Sequence, residues 1–242
     1  MTQEKERLKE IIRRSENIVF FGGAGVSTES GVPDFRSKDG LYNQKFDYPP
    51  ETILSHDFFF EKTEEFYKFY KAKMLPLSVR PNDAHFCLAK LEKEGKLKAI
   101  VTQNIDGLHQ AAGSEKVYEL HGTVLKNRCV VCGKFYGLEK IVLSEGVPKC
   151  DCGGIIKPEV VLYGEALPVN AVEGAVNAIK RCDTLIVAGT SLTVYPAAGL
   201  IDYFTGKSLV LINRDETPYD YKADLIIRDK VGKVLKEAVD GN

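Results

Sequence analysis

The sequence has almost no net charge: 33 Lys and Arg stand against 34 Asp and Glu, a formal −1 over 242 residues. Without a global field, nothing draws the chain to nucleic acid or to an anionic membrane, and neither is expected as a partner. No apolar run approaches the ~20 residues that span a bilayer. Residues 1–16 alternate in charge around Leu8, Ile11 and Ile12 at helical spacing, which reads as an amphipathic surface helix and not as the apolar centre of a signal peptide. Low-complexity tracts and internal repeats are also missing. What remains, 44% apolar and 28% charged, is the composition of a globular chain long enough to bury a sizeable core. The expected location is the cytoplasm, and the expected state a monomer.

Six cysteines are present, which in a reducing compartment points to metal before disulfide. Cys87 and Cys182 stand apart in apolar surroundings and read as small core residues. Cys129-x-x-Cys132 and Cys150-x-Cys152, with residues 133–149 between them, have the short bites of two knuckles converging on one tetrahedral ion. Four thiolates leave no open position for water, so the zinc they would hold is structural, folding a loop-rich unit with little core of its own. Two pairs at this spacing weigh against a redox Cys-x-x-Cys. Lys126, Arg128 and Lys134 lie close by, but three cations without a basic stripe make a nucleic-acid-gripping ribbon the lesser reading.

The chain is organised around Phe20-Phe21-Gly22-Gly23-Ala24-Gly25-Val26-Ser27-Thr28 and the following Gly31-Val32-Pro33-Asp34-Phe35-Arg36. A buried strand over Ile18–Phe21 empties into glycines, whose missing Cβ atoms let backbone N–H groups approach a ligand. Ser27 and Thr28 could cap a following helical turn, giving a dinucleotide pyrophosphate cradle. An ordinary tight turn accounts for the glycines about as well, since Thr28 replaces the third glycine of G-x-G-x-x-G. The proline, carboxylate, aromatic ring and guanidinium that follow favour a loop closing over a nucleotide. No ribose-binding acid follows on a second strand, and Asn213, at the end of a late strand, is the ribose-binding candidate. A topology other than the usual dehydrogenase one is therefore expected.

Further along, Lys38–Pro50 reads as a surface loop, and the aromatic stripe from Phe58 to Met74 as the core of a helical module. Regular alternation resumes at Pro81. A helix capped by Asn82 is expected to turn Ala84, Cys87, Leu88 and Leu91 inward, followed by a strand over Ala99–Gln103 and helical turns over Asp106–Ala112. Strands follow at Val117–Leu120, Val160–Tyr163, Leu185–Ala188, Leu209–Ile212 and Asp224–Ile227. Helices are expected at about 169–179, around Pro196–Phe204 and at 231–239. Apolar strands alternating with helices argue for a parallel sheet covered on both faces. Ligands bind such a sheet beyond the strands' carboxyl ends. The polar residues there are those of 22–36, Gln103-Asn104-Ile105-Asp106, His121, Gly189-Thr190-Ser191, and Asn213 with Asp215. Asn104 or Asp106 could equally serve as a helix cap. His121 suits proton transfer near neutral pH, and His109 could line the rim.

These residues carry a family likeness. The chain resembles the sirtuins, NAD-dependent protein lysine deacylases, from end to end and most of all their compact bacterial members. The likeness rests on Gly23-Ala24-Gly25-Val26-Ser27, Gly31–Arg36, Gln103–Asp106, His121-Gly122, the four clustered cysteines, Gly189-Thr190-Ser191-Leu192 and Tyr195-Pro196-Ala197. It implies an α/β fold: a Rossmann-like parallel-sheet domain (1–36, 81–124 and 157–242), with a cofactor loop and helical module at 37–80 and a zinc module at 125–156. It implies that NAD is consumed as a co-substrate and that acetylated proteins are deacetylated, yielding nicotinamide, O-acetyl-ADP-ribose and free lysine. In that scheme His121 is the general base, Asn104 orders ribose and water, and Asp106 with Ile105 holds the nicotinamide carboxamide. Phe35 shields the ribose face and Arg36 positions the cofactor. Ala24, Gly25, Thr28, Asp34, Gln103, Gly189, Thr190, Ser191 and Asn213 line the dinucleotide, with Lys230 near the adenine. The acyl-lysine enters as a strand between Val160, Val161, Tyr163, Gly164 and Glu165 on one side and Leu192–Tyr195, including Val194, on the other.

The chain departs from the family pattern at Tyr163, where Phe is common, and at Gly22, where Thr is common. Desuccinylating members carry Tyr-x-x-Arg in the helical module, and the matching Tyr67-Lys68-Phe69-Tyr70 lacks the Arg, so a neutral acyl group is expected. A protein mono-ADP-ribosyltransferase, sharing the early glycosidic step, is the alternative.

Overall fold

The computed structural model describes residues 2–34, 40 and 47–240. Phe35, Arg36 and most of the loop expected over Lys38–Pro50 lie outside the described residues.

The N-terminal helix α1 (Gln3–Arg14) places Glu4 and Glu6 in its first turn and Arg13 and Arg14 in its last, matching the helix dipole. Its Leu8 and Ile12 are buried, as is Lys5, whose ammonium is held by Asp229 at 3.0 Å and Glu237 at 2.8 Å. Strand β1 (Ile18–Gly22) is buried at every position and runs into two 3₁₀ turns, Ala24–Val26 and Thr28–Ser30. The aromatic stripe becomes two helices, α3 (His56–Glu61) and α4 (Thr63–Lys73), preceded by the short α2 (Pro50–Ile53). Helix α5 (Asp83–Lys93) starts at a reciprocal cap: the Asn82 side chain accepts from Ala84 N–H, and the Asn82 N–H donates to His85 Nδ1. Its Ala84, Cys87, Leu88 and Leu91 are all buried.

Strand β2 (Leu97–Thr102), helix α6 (Leu108–Ala111) and strand β3 (Val117–Glu119) come next. Then the chain leaves the sheet to build a second one from β4 (Gly122–Cys129), β5 (Phe135–Gly137) and β6 (Ile156–Val160), with α7 (Leu138–Leu143) after β5. Helix α8 (Val169–Arg181), β7 (Thr184–Ala188), β8 (Ser208–Ile212), β9 (Leu225–Ile227) and α9 (Val231–Asp240) complete the α/β part. The helix expected around Pro196–Phe204 is a 3₁₀ segment over Ala197–Tyr203.

The large sheet is six-stranded and parallel, in the order β3-β2-β1-β7-β8-β9. Counted along the chain within that sheet, this is the 3-2-1-4-5-6 order of the dinucleotide-binding fold. The expectation of an unusual topology is therefore corrected. The strand order is the usual one, and what differs is the helical module placed between β1 and α5. Successive residues of β1 serve opposite faces, as a strand's period of two demands. Ile18 and Phe20 join a core with Leu8, Leu88 and Val234, while Val19 and Phe21 join one with Ala175, Ile179 and Leu200.

The strand expected at Val160–Tyr163 is also corrected. Strand β6 ends at Val160 and pairs antiparallel with β4 in the small sheet. Beyond it, Val161 N–H donates to His121 O and Tyr163 forms an isolated bridge with Ser55. The small sheet and the three helices share one apolar core, in which Phe59, Phe66, Tyr67 and Tyr70 pack with Val124, Ile141 and Ile156. Strand β4 thus runs across residue 124, from the large sheet's edge into this second layer.

Candidate active site

The reversal of strand order falls between β1 and β7, where two loops part and leave a crevice. The loops approach closely because neither carries a Cβ at the contact. A Cβ on Gly25 would lie 2.7 Å from Gly189 Cα, and one on Gly189, at φ +60°, would lie 2.5 Å from Val26 N. Gly25 N–H donates to Gly189 O at 2.8 Å and Gly23 N–H to Ala188 O at 3.1 Å. These two N–H groups are therefore committed to the sheet's own loops. The glycines bring backbone to backbone here, where the sequence suggested backbone to ligand.

A cavity of about 680 Å³ opens at this point. Lining it are Ala24, Gly25, Thr28, Asp34, Gln103, Asn104, Ile105, Asp106, His121, Gly189, Thr190, Ser191, Asn213 and Lys230. Val160, Val161, Tyr163, Gly164, Glu165 and Val194 form another part of its wall. Phe35 and Arg36 lie outside the described residues.

The polar groups are tied into a network. Ser27, expected as a helix cap, makes no capping bond. Its buried hydroxyl donates to Asp106 Oδ2 at 2.7 Å and accepts from Asn104 Nδ2 at 3.0 Å. Asp106 Oδ1 accepts from Leu108 N–H at 2.9 Å, a turn that leads into α6, whose N-cap position is Gly107. Thr28 Oγ donates to Gly25 O, and Gln103 Nε2 donates to Thr190 Oγ1 at 3.0 Å across the crevice. Asn213 spends its amide on Asp215 O, and Arg214 pairs with Asp34 at 3.7 Å.

His121 follows β3 and faces this network. Its Nδ1 lies 2.9 Å from Gln103 O. A carbonyl only accepts, so Nδ1 carries the proton and Nε2 is left as the basic nitrogen. Burial pushes the imidazole below its ordinary pKa, against the opposing pull of the Gln103 carbonyl, so the ring is neutral at pH 7. The next residue must be glycine. At φ +71°, a Cβ on Gly122 would stand 1.9 Å from Glu159 O, where β4 crosses β6. His109 does not line the rim. It is 1% exposed, with its ring 4.8 Å from that of His85, and burial presses the pKa of His109 down to about 3 and that of His85 to about 4.

Comparison with known proteins separates this arrangement from other crevices of the same fold. The Sir2 family model matches residues 23–196. The NAD-dependent protein deacetylase of Clostridium perfringens is 61% identical over 244 residues, which cover 99% of this chain and 100% of that protein. That of Clostridium acetobutylicum is 59% identical, covering 96% of each. A solved Sir2 structure described with a deacetylated p53 peptide and 3'-O-acetyl-ADP-ribose superposes with a TM-score of 0.91 at 41% identity, covering 99% of this chain and 98% of that one. Another, described as Sir2 with a p53 peptide and NAD+, gives 0.87 at 43% identity, over 99% and 98%.

The chain belongs to the Sir2 family.

In this Sir2 chain the four clustered cysteines also come together. The sulfurs of Cys129, Cys132, Cys150 and Cys152 lie within 4.8 Å of one another. Val131 N–H donates to Cys129 Sγ at 3.4 Å and the Tyr136 hydroxyl to Cys150 Sγ at 3.0 Å, donors that favour thiolates. An all-sulfur tetrahedral set fits zinc.

Two features of the Sir2 cavity were not legible in the sequence. Ser27 sits in the glycine stretch with only a capping role to suggest, and its partners Asn104 and Asp106 are 77 and 79 residues away, so no local signal points to them. The wall formed by Leu54, Ala72, Lys73, Met74, Leu75 and Leu77 comes from the helical module, whose stripe reads as core. That reading holds for Phe66, Tyr67, Phe69 and Tyr70, which are buried. It stops short of the residues that follow. Neither Tyr67 nor Tyr70 lines the cavity; the Tyr67 hydroxyl donates to Ile156 O, and Tyr70 is fully buried.

Proposed function

We propose that the chain is an NAD-dependent protein lysine deacetylase, with the cavity between the β1 and β7 loops as its active site and His121 as its general base. The observation that carries this reading is the tautomer of His121: Nδ1–H is held by Gln103 O, and burial keeps the ring neutral, so Nε2 is ready to take a proton. Bound NAD supplies an electrophilic ribose carbon and nicotinamide as the leaving group. Asn104 and Asp106, locked together through Ser27, present an amide and a carboxylate in fixed positions and bind the nicotinamide end. Thr28, Asp34, Thr190, Ser191, Asn213 and Lys230 line the remainder of the dinucleotide's path. The acyl-lysine lies along Val160–Glu165 opposite Val194. The cysteine cluster holds one structural zinc, which takes no part in the chemistry.

Mass spectrometry of an acetyl-lysine peptide incubated with and without NAD tests the assignment. NAD-dependent loss of the acetyl mass with O-acetyl-ADP-ribose appearing is expected. His121→Ala is expected to lower the rate by roughly 10²–10⁴-fold, the range of a lost general base. An intact acetyl group with ADP-ribose added to protein would overturn the reading in favour of a transferase.

A further inference from the structure

The wall assigned above to the acyl-lysine is a tight turn with a single ion pair behind it. Glu165 N–H donates to Leu162 O at 2.9 Å, closing a four-residue turn whose third residue, Gly164, has the positive φ (+90°) such a turn needs. The Glu165 carboxylate folds back so that Oε2 accepts from Leu162 N–H at 2.9 Å. Lys157, at the start of β6, then reaches both carboxylate oxygens, Oε1 at 3.0 Å and Oε2 at 3.1 Å, and lies 3.3 Å from Val160 O. Both side chains are mostly buried, at 19% and 21% exposure, so solvent screens the pair less than a surface bridge.

The same segment is tied to the rest of the site through its backbone. Val161 N–H donates to the carbonyl of His121, while Tyr163 N–H donates to Leu54 O and accepts from His56 N–H through its own carbonyl. Glu165 lines the reaction cavity and also a second cavity that shares Val160 and Val161 with it, whereas Lys157 lines only the second. Lys157 therefore acts on whatever occupies the reaction cavity through Glu165 and the turn.

We infer that Lys157 is a positioning residue for the acyl-peptide, holding Glu165 so that the backbone of Val160–Gly164 keeps the conformation the peptide pairs with. The inference rests on the deacetylase reading of this wall. The other cofactor residues reach the cavity from the ends of β1, β2, β7, β8 and β9, which the ion pair does not touch, and His121 meets the segment only through its backbone carbonyl. Its loss thus falls on the peptide and not on NAD.

Steady-state kinetics on Lys157→Met, Lys157→Arg and Glu165→Gln, with an acetyl-lysine peptide and NAD each varied, tests this. Lys157→Met is expected to raise KM for the peptide about tenfold, the loss of one partly buried charge partner, with kcat and KM for NAD within about twofold. Lys157→Arg restores the peptide KM, and Glu165→Gln shifts it in the same direction by a smaller factor. An unchanged peptide KM in Lys157→Met overturns the inference, as does an equal rise for NAD or a failure of Arg to restore. Fluorescence anisotropy of a labelled acetyl-lysine peptide separates the two readings. A wild type that binds the peptide without deacetylating it overturns the proposed function, while weaker binding by Lys157→Met still supports the positioning role.

Discussion

Every residue of β1 and β7 is buried, whereas around the cysteines Val131 is 72% exposed and Leu143 82%. The six-stranded sheet has an apolar core on each face, and its site stands on hydrophobic packing. The outer half of the small sheet leaves Val130, Val131 and Phe135 exposed, with only the Arg128 guanidinium lying over the Phe135 ring among the described residues. What holds that end is a cluster of four sulfurs. The difference teaches where each part is vulnerable. Asn104, Asp106 and Ser27 are joined by non-local hydrogen bonds above the large sheet, while β6, whose Val160 lines the cavity, runs with β4 out to the four cysteines.

The largest break in that comparison should come from removing the metal. Cys129→Ser or Cys150→Ser should abolish zinc in the purified protein and cost the small sheet on the order of several kcal/mol. Hydrogen exchange should then show lost protection over 122–160 while β1 and β7 keep theirs. Simultaneous loss in both would mean that the two regions form one cooperative unit.

A shift in pH should act on the other region. His85 and His109 have folded pKa values of about 4 and about 3, below the unfolded value of about 6.5, because burial disfavours their charged forms. The unfolded state therefore binds more protons below about pH 6.5. The stability these histidines contribute is complete above that value and is lost as pH falls toward 4 and 3, at up to about 1.4 kcal/mol per pH unit for each. Denaturant titrations between pH 7 and 5 should show this decline, and His109→Phe should flatten it. A decline unchanged in that variant would place the titrating groups elsewhere. Activity should fall on the acid side as well, as His121 takes up a proton below its ordinary pKa.

The smallest effect sharpens the comparison at the wall between the regions. Tyr70 stands where the Tyr-x-x-Arg pattern has its cation and is buried in the shared core, and the Tyr67 hydroxyl is spent on Ile156 O, so neither pairs with an acidic acyl chain. Acetyl-lysine peptide should be turned over at least about tenfold faster than succinyl-lysine peptide, the worth of one charge-assisted hydrogen bond. Equal rates would show that another group in the wall supplies the charge.

Much of this was legible because it is local. The strand before the glycines, the cap at Asn82 and most of the alternation after Pro81 are short-range patterns and formed where spacing and propensity put them, the Val160–Tyr163 strand and the Pro196–Phe204 helix excepted. Strand β6 was misjudged because Val160-Val161-Leu162-Tyr163 is apolar enough for a strand of either sheet. Its pairing with β4, from Cys129 with Ile156 to Gly122 with Val160, joins distant stretches of chain that no local pattern encodes. Strand β4 itself, mixed in polarity along Gly122–Cys129, gave no periodic signal.

By itself, the amino-acid sequence determined which chemical groups stand at the ends of the strands and which four sulfurs share a spacing. Both are matters of local order along the chain. Only the tertiary structure decided that Ser27 joins Asp106 to Asn104, that the N–H groups of Gly23 and Gly25 are used by Ala188 and Gly189, that His109 is buried, and that Lys157 pairs with Glu165 behind the cavity wall. The reason is the directionality of the hydrogen bond and the ion pair. Each is worth little until its partner arrives at the right distance and angle, and that partner is set by how distant segments pack.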